Sequence, residues 1–458
     1  MDTLCKTVEP LTPAIPRDDE LRLADLIGAF SYALDLTDGQ PAGHCMRCAW
    51  IGMHVGRRLK LSEPALWALY YTLLLKDLGC SSNAARICEL YLADDHQFKH
   101  DFKLVGADTS SLLRFVVSHT GPGNPWHQRL SALVNIVSNG EKLSRELIHT
   151  RCTRGADIAR QLGFRESVAG AVHALDEHYD GSGQPEGRRA DAIPLASCIA
   201  LLAQVVDVFH FSSGREAALA EARSRSGTWF DPVVVDAFEA VARQPGFWQT
   251  LAGDGIDAAV RALEPADETF AVDDDYLDNI ALAFGSVVDA KSPFTAGHSA
   301  RVADISDRVA DRLGLSEPRR RWLRRGALLH DVGKLGVSNT ILDKPGKLDV
   351  HEWEAIKRHP AYSEQILARI APFAELARMA GAHHERLDGK GYPRGLAAAD
   401  IMLETRIITV ADIFDAITSV RPYHAATPVA QTLEIMRGMV GTALDAECFA
   451  ALEAVAGE

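Results

Sequence analysis

The chain has 458 residues, a formal net charge of −14, and ordinary shares of apolar (47%) and charged (24%) side chains. That length allows two to four domains with proper cores. The acidic balance argues against a general affinity for nucleic acid or anionic membrane, while local basic groups or metals could still hold a small phosphate ligand.

The first residues, "MDTLCKTVEPLTPAIPRDDE", are polar and Pro-rich rather than a secretory signal. The eight cysteines are scattered, which fits a reducing cytoplasm better than a disulfide framework. Cys45 and Cys48 form a lone CxxC, a weak zinc signal that Cys80 and Cys88 could complete; buried or incidental thiols are the plainer reading. "DDHQFKHDFK" (94–103) and "HTGPGNPWHQ" (119–128) carry His96, His100, His119 and His127, and are expected as a solvated helix and an exposed loop rather than a second metal site. The apolar run Ile193 to Val206 contains Pro194, Ser197 and Gln204 and falls short of a membrane span. An acidic stretch, "EPADETFAVDDD" (264–275), reads as a linker. Beyond it, Val302, Ile305, Val309 and Leu313 recur at helical spacing, with His298 on the same stripe. "RRRWLRR" (319–325) reads as a solvated helix face, with recruitment of an acidic partner as the alternative. The segments 276–290, 320–331, 363–370 and 404–419 are also helix-like, and β-alternation is scarce. The expected class is all-α, with at most short hairpins at Gly-rich turns.

The chain repeats itself. Residues 43–79 align without gaps on 297–333, at an offset of 254, and both copies contain "LSEP". "DGSGQP" (180–185) matches "DGKGYP" (388–393) at an offset of 208, and 193–207 matches 401–415 at the same offset. The first copy therefore carries about 46 extra residues between Gly79 and roughly Arg151. Two tandem copies of one helical domain are expected, over 20–263 and 276–458.

The second copy gathers His298, His330, Asp331, His359, His383, His384 and Asp412. Adjacent donors such as His330 and Asp331 suit a dinuclear centre in which Asp331 bridges two ions. His359 precedes Pro360 and fits a helix start. Lys334 lies one turn beyond Asp331 and can share its face. Two ions about 3.5–4 Å apart hold hydroxide at neutral pH and polarise a phosphoryl oxygen. Imidazole with carboxylate suits Fe, Mn or Zn better than Mg or Ca. Lys334 would stabilise charge developing on phosphate. Six of the seven donors lie in or beside apolar helical segments, where unpaired polar groups are costly, so unrelated histidines explain the set poorly.

With "GHSARV", "LLHDVGK", "RHP", "HHERLDGKGYP" and "VADIFDAITSVRPY" in view, residues 276–458 resemble the HD-GYP phosphodiesterases, a branch of the HD metal-dependent phosphohydrolases. The resemblance implies hydrolysis of cyclic di-GMP to the linear dinucleotide, and sometimes on to GMP, in bacterial signalling. It makes His298, His330, Asp331, His359, His383, His384 and Asp412 metal ligands and Lys334 the catalytic lysine. Gly391, Tyr392 and Pro393 become the signature loop beside the substrate, a place of protein contacts, and Arg421 an arginine toward the phosphate. Plain turn chemistry for Tyr392 and Pro393, and a solvated helix end for Arg421, are the alternatives. Phe294 stands where some members carry a glutamate for a third metal, so two ions, Fe or Mn, are expected. His424 replaces a basic residue often found after "RPY". Both departures put the second hydrolytic step in doubt.

Mapped onto the first copy, His298 becomes His44 and Asp331 becomes Asp77. Five of the seven donors are lost, to Lys76, Arg151, Leu175, Asp176 and Gln204. Lys334 becomes Cys80 and Tyr392 becomes Gln184. Lys76 could pair with Asp77 or Asp176 in the space a metal would fill. The first copy is expected to be metal-free and to regulate, dimerise, or bind a ligand without cleaving it. The leading expectation for the whole chain is a cytoplasmic cyclic di-GMP phosphodiesterase, with a homodimer allowed. The alternatives are another cyclic dinucleotide, such as a mixed guanine–adenine one, or a signalling adaptor acting through the signature loop. A DNA-binding regulator is poorly supported, since no helix-turn-helix follows residue 445 and the chain is acidic.

Overall fold

The computed structural model describes residues 21–106, 109–266, 272–420 and 426–457. Those residues form helices and no named strand; only isolated bridges occur, one of them between Asp388 and Ala397 beside the signature loop. The all-α expectation holds, and the hairpins allowed for the Gly-rich turns shrink to single bridges.

The repeat is visible element by element. Helices His44–Arg58 and His298–Arg312 both span 15 residues, and each follows a left-handed glycine, Gly43 or Gly297. Glycine adopts that conformation without the Cβ clash another residue would meet. Helices Glu63–Leu75 and Glu317–Leu329 both span 13 residues and both carry proline in the first turn, where its missing N–H costs nothing. The correspondence runs further than the sequence alignment. Helix Leu23–Thr37 matches Asp274–Asp289, so Asp35 and Asp289 are equivalent. Each carboxylate takes up amides at the next helix start: Asp35 accepts from Gly43 N (2.7 Å) and Cys45 N (2.9 Å), and Asp289 from Ser299 N (3.2 Å). At the other end, Arg215–Ser224 and Pro232–Ala242 match Val429–Arg437 and Ala446–Ala456.

One apolar core runs through both halves. Phe30 and Phe284, equivalent in the repeat, stack on each other with centroids 3.8 Å apart and planes at 15°. Such a pair contributes about 0.5–1.5 kcal/mol beyond its buried area. Helix Leu23–Thr37 packs on the turn Val332–Gly336 and on His359–Leu367 of the second half, while Asp274–Asp289 packs on Trp126–Gln161 of the first. Each of these equivalent helices thus packs on its own half and also reaches the other. Helix Leu195–Ser213 is long and apolar enough to cross a membrane by composition, but that stretch is 67% buried inside the protein.

Two surface expectations need correction. "DDHQFKHDFK" does form a helix, Asp95–Lys103, but Asp95, Phe98 and Lys99 are buried. Asp95 reaches the second half, where one carboxylate oxygen accepts from Asn339 N (2.9 Å) and Ser338 Oγ (3.1 Å). Its other oxygen accepts from Lys99 (3.3 Å) and Lys291 (3.4 Å). "RRRWLRR" is no free basic patch. Arg319 pairs with Glu375 and Glu404, Arg320 and Arg324 share Asp307, and Arg321 and Arg325 share Asp278. The arginines spend their charge on the chain's own acids.

Candidate metal centre

The seven donors converge although they come from five separate segments. His298 opens helix His298–Arg312, and His330 and Asp331 end Glu317–Leu329. His359 opens His359–Leu367, His383 and His384 follow Ala374–Ala382, and Asp412 sits inside Leu403–Thr418. Gly333 makes the convergence possible. A Cβ there would lie 2.0 Å from the His359 carbonyl oxygen, so only glycine admits the close approach that carries His359 to Asp331. The amide of Gly333 then donates to Ser363 Oγ at 2.8 Å.

The geometry divides into two compartments sharing Asp331. On one side, His298 Nε2 lies 3.5 Å and His330 Nε2 3.3 Å from Asp331 Oδ2, with Asp412 Oδ1 3.2 Å from His298. On the other, His359 Nε2 and His383 Nε2 lie 3.3 and 3.6 Å from Asp331 Oδ1, and His384 joins them. One carboxylate oxygen therefore faces each compartment, as a bridging ligand requires.

Four of the histidines are turned the same way. His298 Nδ1 is 2.7 Å from Asp415 Oδ2; His330, His359 and His383 place Nδ1 2.6–2.7 Å from the carbonyls of Ala327, Ile356 and Ala380. An Nδ1–H donated outward fixes the tautomer and leaves the Nε2 lone pair aimed inward. There His298 Nε2, His330 Nε2 and Asp331 Oδ1 are buried without a hydrogen-bond partner. Buried polar atoms left so are costly unless something else satisfies them, and imidazole nitrogens with carboxylate oxygens are a donor set for Fe, Mn or Zn. The residues fit divalent metal ions.

The electrostatics agree. Burial opposes charge on Asp331 and Asp412, yet the surrounding imidazoles, with Lys334 beside Asp331, hold both carboxyls well below the usual range. Burial likewise works against protonating His298, but Asp331, Asp412 and Asp415 push it up to about 10. Burial and the neighbouring rings hold His383 well below the normal range and His384 at about 3.

Lys334 pairs with Asp331 at the edge of the cluster. The Tyr392 ring stacks on His384 (4.9 Å, 30°), and half-exposed Trp353 meets Tyr392 edge-on at 6.2 Å. The signature loop hangs on buried Glu385, which accepts from Arg394 N (2.7 Å) and Leu396 N (2.9 Å). Gly391 lies so close to the backbone of Glu385 and Arg386 that a Cβ would fall 2.4 Å from Arg386 N. Pro393 follows a cis peptide bond. Arg421 and His424 lie outside the described residues. Trp353, Asp415, Arg301 and Glu385 escaped the sequence reading. Asp415 had a visible signal, because its counterpart Asp207 is kept in the copy that loses the ligands.

In the first half the same frame encloses cations. His44 Nδ1 binds Asp207 (2.7 Å) and Arg47 Nε donates to it (2.7 Å), repeating His298, Asp415 and Arg301. Lys76 pairs with Asp77, and Arg151 with Asp176. Lys103, supplied by the insertion, pairs with Asp38 and donates to Gln204 Oε1 at 3.3 Å. Cys45 and Cys80 both place Sγ 3.6 Å from Asp77, whereas Cys88 lies apart, beside Asp95. Burial pushes these thiols up, and Cys88, beside Asp95, stands outside the group that Cys45 and Cys80 form around Asp77.

Comparisons with known proteins agree with this architecture. A family model described as "HD domain" matches residues 130–234 and 284–448, touching both halves. The 3′3′-cGAMP-specific phosphodiesterase 3 of Vibrio cholerae is 56% identical over 431 residues, 94% of each chain. The cyclic di-GMP phosphodiesterase response regulator RpfG of Xanthomonas campestris is 40% identical over 160 residues, 34% of this chain and 42% of that one. Among solved structures, a cyclic GMP-AMP-specific phosphodiesterase of Vibrio cholerae superposes with a TM-score of 0.66 at 50% identity, covering 95% of this chain and 97% of that one. Doubled fold, seven converging donors and full-length match together place the chain in the HD domain family, as a member of its HD-GYP branch.

Proposed function

We propose that the protein is a metal-dependent cyclic dinucleotide phosphodiesterase whose preferred substrate is 3′3′-cGAMP rather than cyclic di-GMP. One observation carries the choice. One relative specific for 3′3′-cGAMP matches through both halves, over 94% of the chain at 56% identity, whereas the cyclic di-GMP enzyme RpfG matches over only 34%. The mixed guanine–adenine alternative thus replaces cyclic di-GMP as the leading reading.

In this reading His298, His330 and Asp412 would hold one ion, His359, His383 and His384 the other, and Asp331 would serve both. Bound there, two ions supply Lewis-acid polarisation of a phosphoryl oxygen and an activated water. The protein's own groups do the rest. Outward Nδ1–H bonds keep the rings from turning. The Lys334 ammonium, tied to Asp331 and open at the edge, donates to a phosphate oxygen as charge builds on it. Tyr392, backed by His384 and flanked by Trp353, offers an aromatic face on which a nucleobase can stack. Opening one ester of the ring gives a linear dinucleotide. The first half, with Lys76, Lys103 and Arg151 in the ligand space, supports the second and performs no chemistry.

The test is metal content with parallel turnover of 3′3′-cGAMP and cyclic di-GMP on anaerobically purified protein. About two equivalents of Fe or Mn are expected, with kcat/KM at least tenfold higher for 3′3′-cGAMP. Asp331→Asn should lose both metal and turnover. Equal kcat/KM on the two substrates refutes the preference, and full activity in Asp331→Asn refutes the centre.

A further inference from the structure

The insertion in the first half exposes an apolar stripe that the reaction does not use. On helix Trp126–Gln161, Ile136 and Leu143 face inward and are buried. Trp126, Leu130, Val134 and Val137 point outward. At 100° per residue these four fall within an arc of about 80°, a single stripe. The preceding helix, Thr109–His119, adds exposed Leu112, Leu113 and Val117. Arg129 donates to the Val117 carbonyl at 2.7 Å and links the two helices. The seven side chains are 43–76% exposed. Summed over the two helices, they expose on the order of 700 Å², close to the roughly 800 Å² per partner of a standard interface.

We propose that this stripe is a homodimer interface, in which the Trp126–Gln161 helices of two chains pack antiparallel about a two-fold axis near residue 132. The occupant follows from the pattern. The stripe is nearly palindromic. In an antiparallel pair Trp126 lies on the partner's Val137, and Leu130 on its Val134, so the surface complements itself as a two-fold contact demands. Charge points the same way. From 109 to 139 the chain has no Asp or Glu, and Arg114 and Arg129 are its only Arg or Lys, although the whole chain carries −14. Two identical acidic molecules approach at least cost through the surface with fewest charges, and depletion of charge marks interface cores. A lipid surface fits less well. Interfacial helices carry Lys and Arg along the polar face, whereas Asn135, Ser138 and Asn139 occupy it here.

Sedimentation of the full-length protein at about 1–50 μM tests this. The wild type should run at twice the 49.8 kDa chain mass. Leu130→Glu/Val134→Glu should run at a single chain mass with unchanged circular dichroism and turnover. If that double variant fails to fold, Val134→Cys gives the second reading, because a short bis-maleimide should join two such chains covalently and leave the wild type unjoined. A wild type that runs as a single chain at 50 μM overturns the proposal. So does a dimer that survives both glutamates, or a monomer that instead sediments with vesicles of one-third anionic lipid.

Discussion

Removing the charge of Asp95 should unfasten the two halves. Its carboxylate is fully buried, and so, nearly, is Lys291. Two ammonium groups, Lys99 and Lys291, share one of its oxygens, while Asn339 N and Ser338 Oγ use the other. Asp95→Asn keeps the shape and one acceptor but leaves the ammonium groups buried beside a neutral amide. Breaking a buried pair from one side costs about 3–5 kcal/mol, a fall of roughly two to four orders of magnitude in the folding equilibrium. Asp95→Asn/Lys291→Met, which removes a stranded charge as well, should recover about half of the loss. Burial opposes ionisation of Asp95, but Lys291, Lys99 and His96 hold its carboxyl well below the ordinary range. The bond therefore contributes fully above the unfolded value of about 4 and fades as pH falls below it. Chemical denaturation of the wild type and both variants at pH 7 and pH 3 measures this. A single variant within about 1 kcal/mol of the wild type at pH 7, or a gap as wide at pH 3, would refute the reasoning.

Asp415→Asn should weaken metal binding about 10–100-fold without loss of helix, because His298 loses the anion that orients its ring; unchanged affinity in a metal titration contradicts this. Trp353→Ala should raise KM for 3′3′-cGAMP about tenfold with kcat nearly constant, the loss expected of one stacking face worth about 1–3 kcal/mol. A drop in kcat with KM unchanged would move Trp353 out of the substrate site. In the first half, burial pushes the Asp35 carboxyl up to about 7. The folded chain thus favours its neutral form, and stability should decline as pH rises from about 4, the unfolded value, to about 7. Asp35→Asn should flatten that slope in thermal unfolding, and an unaltered slope would remove Asp35 as its source.

Much of this was legible because the repeat is a built-in comparison. Gly79 and Gly333, or Asp207 and Asp415, kept in both copies and outside the donor set, mark what the fold needs. Positions kept only in the second, His330, His359, His383, His384 and Asp412, mark the candidate ligands. Lys76 facing Asp77 was readable from the same contrast. The insertion was opaque, since it has no counterpart to be compared with. Its charged sequence reads as solvated helix, yet Asp95 and Lys99 are buried because the partners that satisfy Asp95 lie almost 200 residues or more away, at Lys291 and Asn339. No local periodicity reports such a partner. Lys103, which reaches the first half's ligand space, was missed for the same reason, and Trp353 was hidden among ordinary helical residues.

The stacking of Phe30 on Phe284 has an evolutionary consequence. Two copies that bury equivalent helices in each other behave as a dimer joined into one polypeptide. Once joined, selection for folding and selection for chemistry act on different residues. The first copy can shed its ligands freely, provided it keeps the surface that completes its twin. Its conserved positions should then follow the seam between the copies rather than its vacated centre, and damage there should register as lost turnover some distance away.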